Sequence, residues 1–125
     1  MKILLDSDVV IEILRSRDQA ILSQWEALAS TGTLILFSPV SAAEVWAGVR
    51  PSEHEATSRF FTHLTCVPVE YTTGQLAGAL LHQFSKSHNL KIGDALIAAT
   101  ALQHKGALWT RNRKHYPMPE LTFYS

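Results

Sequence analysis

Three acidic residues stand at junctions where an apolar strand or a loop passes into a helix. Asp6 follows an unbroken apolar run at residues 3–5, Glu44 comes shortly after a second such run, and Asp94 begins a strongly apolar helical stretch. In open α/β sheets ligands bind beyond the carboxyl ends of the strands, so we expect these side chains to gather at one sheet edge. Gathered carboxylates repel one another unless cations neutralise them, and Mg²⁺ and Mn²⁺ prefer oxygen ligands. The pattern predicts a metal site suited to phosphodiester hydrolysis.

Each of these acids also has a purely structural interpretation. Asp6 could be a turn residue or a helix cap, and an N-cap role fully explains its near neighbour Asp8. Ser41 and Glu44 have the spacing of a capping box, in which the two side chains satisfy the first amides of a helix. The helix dipole favours an acid such as Asp94 at a helix start. One such acid is weak evidence, whereas three at equivalent junctions favour a shared site.

The elements that must position the acids alternate between strands and helices. Unbroken apolar runs indicate buried strands, and apolar residues three and four positions apart indicate amphipathic helices. Strands are predicted at residues 3–5, 34–37, 66–69, 107–110 and 121–123, the third and fifth at sheet edges. Helices are predicted at residues 9–15, 19–29, 42–49, from 52 onward, 72–84 and 95–102. This alternation predicts an α/β fold with a mostly parallel, four- to five-stranded central sheet.

Length and composition favour a single globular domain over residues 1–125. Hydrophobic residues make up 46% and charged residues 18%, no apolar run is long enough to span a bilayer, and the start lacks signal-peptide features. The one cysteine, Cys66, excludes an internal disulfide, is expected in the core, and fits a cytoplasmic location. Acids and bases balance at eleven each. If four acids bound cations, the remaining excess of four positive charges would suit a phosphate-bearing substrate.

Four stretches of the sequence resemble the PIN-domain ribonucleases, and among them the VapC toxins of bacterial toxin–antitoxin pairs. They are residues 3–11, 41–45, 92–99 and 108–112. Their order and spacing agree with the family, so the resemblance covers essentially the whole chain. The resemblance implies a three-layer α/β/α sandwich with an acidic Mg²⁺ or Mn²⁺ site that cuts single-stranded or loop RNA. Asp6, Glu44 and Asp94 match the metal-binding acids of that family.

The fourth stretch departs from the family pattern. The family often has a further acid there, whereas this chain has Asn112, which could orient a water molecule but adds no negative charge. The choice between one and two metal ions therefore stays open. Thr110 matches a hydroxyl position of the same site. The basic residues beside it could hold RNA phosphates or form a solvated loop; they are Arg111, Arg113, Lys114 and His115.

The resemblance also implies partners. In VapC pairs a cognate antitoxin wraps the toxin and blocks the site, and toxin dimers are usual. We therefore expect an antitoxin, a homodimer and an RNA substrate (tRNA or another structured RNA loop), and no membrane partner. Trp25 and Trp46 are candidates for exposed contact residues, and core packing explains them equally well.

Two alternative functions remain open. A chain that keeps the fold without catalysis could be a binding module, given Asn112 in place of an acid. The Asp6-Ser7-Asp8 segment also looks like the opening motif of haloacid-dehalogenase-type phosphatases, in which the first Asp is a nucleophile. Those enzymes need a second acid soon after a Gly-Asp motif, and none follows Gly93-Asp94. Metal-dependent RNA cleavage would distinguish a nuclease from both.

Overall fold

A sheet of four parallel strands forms the middle layer of the structure, a computed structural model that describes all 125 residues. The strands lie in the spatial order β3-β2-β1-β4 and are β1 (Lys2–Leu5), β2 (Leu34–Phe37), β3 (Thr65–Cys66) and β4 (Ala107–Trp109). The helices are α1 (Ser7–Arg15), α2 (Gln19–Leu28), α3 (Pro39–Ala47), α4 (His54–Thr62), α5 (Tyr71–His88) and α6 (Ile92–Gln103). Two 3₁₀ turns span Pro51–Glu53 and Arg113–His115. The predicted α/β fold with a parallel sheet is confirmed.

Helices cover both faces of the sheet. On one face Leu4 packs in a core with α5 and α6, and on the other Ile3 and Leu5 pack in a core with α1, α2 and α3. All three strand residues are completely shielded from solvent. Residues 3–5 of β1 need apolar side chains because both faces of the strand are covered there, which explains the lack of alternation. The predicted three-layer α/β/α sandwich is confirmed.

The start of α3 differs from the prediction. The helix begins at Pro39, three residues before the predicted start, and Ser38 is its N-cap, with Oγ accepting a hydrogen bond from Val40 N at 3.1 Å. Proline is favoured at the first helical position, where its missing N–H costs nothing. Ser41 is completely buried, and its hydroxyl donates to the Leu5 carbonyl at 3.4 Å. The predicted capping box is therefore wrong, and the Glu44 carboxylate is not needed at a helix start.

The edges of the sheet are thinner than predicted. Strand β3 has only two residues, and Cys66 is exposed there, so its expected place in the core is wrong. At the opposite edge the predicted fifth strand is a single parallel bridge between Leu108 and Phe123. Leu108 N donates to Thr122 O at 2.8 Å, and Tyr124 N donates to Leu108 O at 2.9 Å. None of the helices is long and apolar enough to cross a membrane.

The capping assignment can be tested by comparing two serine substitutions. We expect Ser38→Ala to lower the free energy of unfolding by about 1 kcal/mol, because it removes the N-cap of α3. Ser41→Ala should cost less, since its hydrogen bond is long and alanine is the better residue inside a helix. Urea denaturation of both variants provides the measurement. A larger loss for Ser41→Ala than for Ser38→Ala would contradict the assignment.

Candidate active site at the carboxyl edge of the sheet

The order of the strands creates a crevice between β1 and β4. The chain leaves β1 toward β2 and β3 on one side, then returns to place β4 on the other side of β1. Such a switch in direction opens a crevice at the carboxyl ends of the strands, where ligands bind in open α/β sheets. Asp6 directly follows β1 and Thr110 directly follows β4, and Asp6 N donates to Trp109 O at 3.0 Å. Asp6 thus lies at the carboxyl edge of the sheet, as its sequence position predicts.

The Asp6 carboxylate is buried and receives hydrogen bonds from three parts of the chain. Its Oδ1 accepts from Ser7 N at 2.8 Å, so Asp6 is also the N-cap of α1. Its Oδ2 accepts from the Thr110 hydroxyl at 2.9 Å and from the Tyr116 hydroxyl at 2.6 Å. Asp6 therefore caps α1 and at the same time lies in the crevice. The three donors fix the orientation of the carboxylate.

Glu44 and Asp94 stand at the rim of the same crevice. Glu44 is an exposed residue of α3, and Asp94 is a half-buried residue in the first turn of α6. The pKa of Asp94 is raised first by burial and then by the charge of Asp6. The pKa of Glu44 is raised by partial burial and then by the charges of Asp6 and Asp94, while a hydrogen bond from Ser7 opposes the rise. The structure thus brings together three acids that lie far apart in the sequence.

Asp8 has a different place from the one its sequence position suggested. It lies inside the first turn of α1 and does not cap it, so the N-cap interpretation is wrong. Its Oδ2 accepts hydrogen bonds from Arg111 N at 3.0 Å and from Asn112 Nδ2 at 2.8 Å. Burial, and secondarily the charge of Asp6, raise its pKa to about 6. Its Oδ1 is buried and has no hydrogen-bond partner, an arrangement that is costly for a charged oxygen.

Thr110 and Asn112 connect these acids to the loop after β4. The Thr110 hydroxyl donates to Asp6 and accepts a hydrogen bond from Asn112 N at 3.1 Å. The Asn112 side chain is exposed and donates its amide to Asp8. Both residues predicted for the site therefore lie at it. Through Asn112, Asp8 holds the loop after β4 against α1.

Tyr116 is the site residue that the sequence did not reveal. It is buried, and its hydroxyl lies 3.4 Å from Asp94 Oδ1 while donating to Asp6. Burial and the neighbouring carboxylates raise its pKa, so the hydroxyl remains a proton donor. The 3₁₀ turn Arg113–His115 folds the chain back and brings this ring into the crevice. An aromatic residue before a proline carries no sequence signal for such a contact.

The basic residues near the site differ in how they are engaged. Arg111 Nη1 lies 3.1 Å from Oε1 of the buried Glu12, and its Nη2 lies 3.9 Å from Asp18 Oδ2. The Arg113 guanidinium stacks 5.1 Å from the centre of the Phe123 ring. By contrast, Lys114 is exposed and has no hydrogen bond or ion pair within the chain, and His115 Nδ1 lies 3.9 Å from Asp94 Oδ2.

The donor set fits a hard divalent cation in its chemistry. Asp6, Glu44 and Asp94 offer carboxylate oxygens only. The charge of Asp6 raises the pKa of both Glu44 and Asp94, so like negative charges lie close together at this edge of the sheet. The buried, unpartnered Oδ1 of Asp8 adds a further such oxygen beside them. No three His, Cys, Asp or Glu side chains converge on one point. The acidic side chains would therefore have to rotate to coordinate an ion together.

The raised pKa values predict how stability depends on pH in a chelating buffer. The native state binds more protons than the unfolded state between about pH 4 and pH 6, because the pKa of Asp8 is about 6 and those of Glu44 and Asp94 are also raised. The free energy of unfolding should therefore fall as pH rises through this range. Asp8→Asn should flatten the dependence. Urea titrations at several pH values measure it, and a wild-type stability that increases with pH would contradict the interpretation.

Removing the Tyr116 hydroxyl tests its hydrogen bond to Asp6. We expect Tyr116→Phe to lower the free energy of unfolding by about 2 kcal/mol, because the variant leaves a buried carboxylate oxygen with one donor fewer. Tyr124→Phe is the matched control, since the Tyr124 hydroxyl makes no hydrogen bond within the chain and its loss should change stability by less than about 0.5 kcal/mol. Equal losses in the two variants would show that the bond contributes nothing.

Comparisons with known proteins agree with this architecture. The model of the PIN domain family matches residues 3–121. The protein named Ribonuclease VapC10 from Mycobacterium tuberculosis is 35% identical over 119 residues, which cover 94% of this chain and 88% of the relative. A structure of VapBC2 from Rickettsia felis bound to a DNA fragment from its promoter aligns with a TM-score of 0.82 at 20% identity, over 99% of this chain and 98% of that one. A toxin–antitoxin complex from Klebsiella pneumoniae aligns with a TM-score of 0.74 at 25% identity, over 95% and 94% of the two chains. With its sheet, its acidic crevice and a match over nearly all of its length, the chain belongs to the PIN domain family.

Proposed function

We propose that this protein is a metal-dependent endoribonuclease and the toxin of a type II toxin–antitoxin pair. The observation that carries the proposal is the meeting of Asp6, Glu44 and Asp94, from three distant segments, closely enough that their charges perturb one another. The name of the Mycobacterium tuberculosis relative, Ribonuclease VapC10, supports RNA as the substrate. Membership of the PIN domain family speaks against the phosphatase alternative.

Asp6, Glu44 and Asp94 are the residues that would hold Mg²⁺ or Mn²⁺. When bound there, the cation would supply Lewis acidity toward the phosphate and the attacking water. The chain supplies rigidity around it. The hydroxyls of Thr110 and Tyr116 and the amide of Ser7 hold the buried Asp6 carboxylate in one orientation. Preorganised groups of this kind need not reorganise during the reaction.

Asn112 contributes to the site mainly by fixing its neighbours. Its side-chain amide donates to Asp8 at 2.8 Å, so the loop after β4 is tied to the first turn of α1. Asp8 brings a fourth carboxylate close to the position where Asn112 lacks a charge. We propose that this acid lessens the effect of the missing charge at Asn112.

Arg111, Arg113 and Lys114 differ in how free they are to contact RNA. Lys114 is exposed and unpaired, and we propose it as a phosphate contact. For Arg111 and Arg113 the same role would require that they give up the contacts with Glu12 and Phe123. Their contribution to RNA binding is accordingly proposed to be smaller than that of Lys114.

A cognate antitoxin is the proposed protein partner. The Klebsiella pneumoniae structure is a toxin–antitoxin complex, and the chain of it that aligns shares 25% identity with this one. We also propose a homodimer acting in the cytoplasm on tRNA or another structured RNA loop. The apolar side chains of Tyr71 and Ile92 are 81% and 68% exposed and are available for such contacts. Trp25 and Trp46 are engaged by neighbouring rings, those of Phe60 and His54.

Cleavage of cellular RNA by purified, partner-free protein tests the nuclease activity. We expect discrete fragments with Mg²⁺ or Mn²⁺, none with chelator, and a loss of about 100-fold or more in Asp94→Asn, because an electrostatic contact to the reacting centre is removed. Glu55→Gln on the exposed side of α4 is the control and should cut like the wild type. Equal cutting by Asp94→Asn, or cutting in chelator, would contradict the mechanism.

Thermal unfolding gives a second readout that does not depend on cleavage. Mg²⁺ or Mn²⁺ should raise the melting temperature of the wild type and of Glu55→Gln, because a ligand that binds only the native state stabilises it. Asp94→Asn should show a much smaller shift. A wild type that binds metal and RNA without cutting RNA would favour the binding-module alternative.

A further inference from the structure

A polar groove lies beside the acidic crevice, on the side where α5 connects to α6. Five residues line it, and none of them is apolar: His88, Asn89, Lys91, Asp94 and His115. Four of the five are exposed, and Asp94 is half-buried at the boundary with the crevice. Because Asp94 belongs to both, a ligand in the groove would lie next to the proposed catalytic acids.

The groove contains positive charge that is not used inside the protein. Lys91 forms no ion pair and no side-chain hydrogen bond within the chain. His115 also borders Asp94, with its Nδ1 3.9 Å from Asp94 Oδ2. Asp94 is the single acid in the lining, and its Oδ1 is directed to the Tyr116 hydroxyl.

The start of α6 adds to this positive potential. Lys91 is the N-cap residue of this 12-residue helix, and no side chain caps its first amides. Free amides and the helix dipole together favour an anion at such an end. The left-handed turn at Asn89, with φ of 52°, ends α5 and brings the amide side chain of Asn89 to the same groove.

The two arginines near the crevice are already engaged. Arg111 is paired with Glu12 and Asp18, and Arg113 lies on the Phe123 ring. The free cation that lies in a cavity bordering Asp94 is therefore Lys91 rather than either arginine. Cationic and amide groups contact RNA phosphates, and the lining supplies an amine, an amide and two imidazoles but no Phe, Tyr or Trp ring.

We propose that this groove binds a backbone phosphate of the RNA next to the one that is cut, with Lys91 as its principal contact and His115 and Asn89 as additional donors. This inference rests on the proposed nuclease function and adds the path of the substrate to it. The RNA would run from the acidic crevice toward the connection between α5 and α6. It would not run along the arginines that follow β4.

Binding of a fluorescein-labelled, single-stranded 12-nucleotide RNA tests the proposal without any turnover. Fluorescence anisotropy in chelator, at several salt concentrations, compares the wild type with Lys91→Ala and Lys91→Arg. Lys105→Ala is the matched control, because this exposed lysine lies before β4 at the opposite end of the sheet. The Lys91→Ala variant should bind about fivefold more weakly at low salt, and its salt dependence should be shallower by about 0.7 in the log–log slope, as expected for one lost phosphate contact.

The outcomes separate the groove from the nuclease. Lys91→Arg should retain most of the wild-type affinity, and in cleavage assays with metal Lys91→Ala should raise KM with little change in kcat. If the wild type binds and cuts RNA while Lys91→Ala binds as tightly as Lys105→Ala, the groove proposal is wrong and the nuclease proposal stands. If the wild type neither binds the RNA nor cuts cellular RNA, both proposals are wrong.

Discussion

The buried carboxylate of Asp6 is the constraint on which the rest of the site depends. A charged group at the end of a central strand is costly unless hydrogen bonds replace its water, and here Ser7, Thr110 and Tyr116 supply them. Those same bonds hold the start of α1, the loop after β4 and the segment after the 3₁₀ turn Arg113–His115 around one point. The need to satisfy one carboxylate therefore organises three separate parts of the chain.

The remaining acids work against this arrangement. Glu44 and Asp94 face the charge of Asp6, and Asp8 is close enough that its pKa also rises. A protein selected for stability alone would place apolar or paired residues in these positions. The concentration of like charge at one sheet edge is a local cost that a functional site explains. It is offset by the buried apolar residues 3–5 of β1 and by the two cores that enclose them.

The parts of this structure that could be predicted are those encoded by neighbouring residues. The apolar run of β1, its abrupt end at Asp6 and the alternation of strands with helices gave the fold class and the edge where the acids meet. The start of α3 was misjudged because Pro39 moves the cap to Ser38. Asp8 and Tyr116 were misjudged or missed for another reason. Their contacts join residues 104 and 110 positions apart, and no local pattern encodes such contacts.

Charge counted along the sequence was a poor guide to charge available at the surface. The basic stretch after β4 looks like a phosphate-binding loop, yet the buried Glu12 lies against both Arg111 and Arg17, at 3.1 and 2.6 Å. A buried carboxylate holds its partners firmly because leaving it unpaired is expensive. The cations that remain free are those for which the fold provides no acid.

The span of the contacts around Asp6 also has a consequence for the order of events during synthesis. Chains leave the ribosome from their N-terminal end, and domains fold as they emerge. Asp6 is made before Tyr116, whose hydroxyl completes its environment from 110 positions later in the chain. As long as Tyr116 has not emerged from the ribosome, the crevice around Asp6 is incomplete. The fold thus delays assembly of the acidic site until synthesis of the domain is nearly complete.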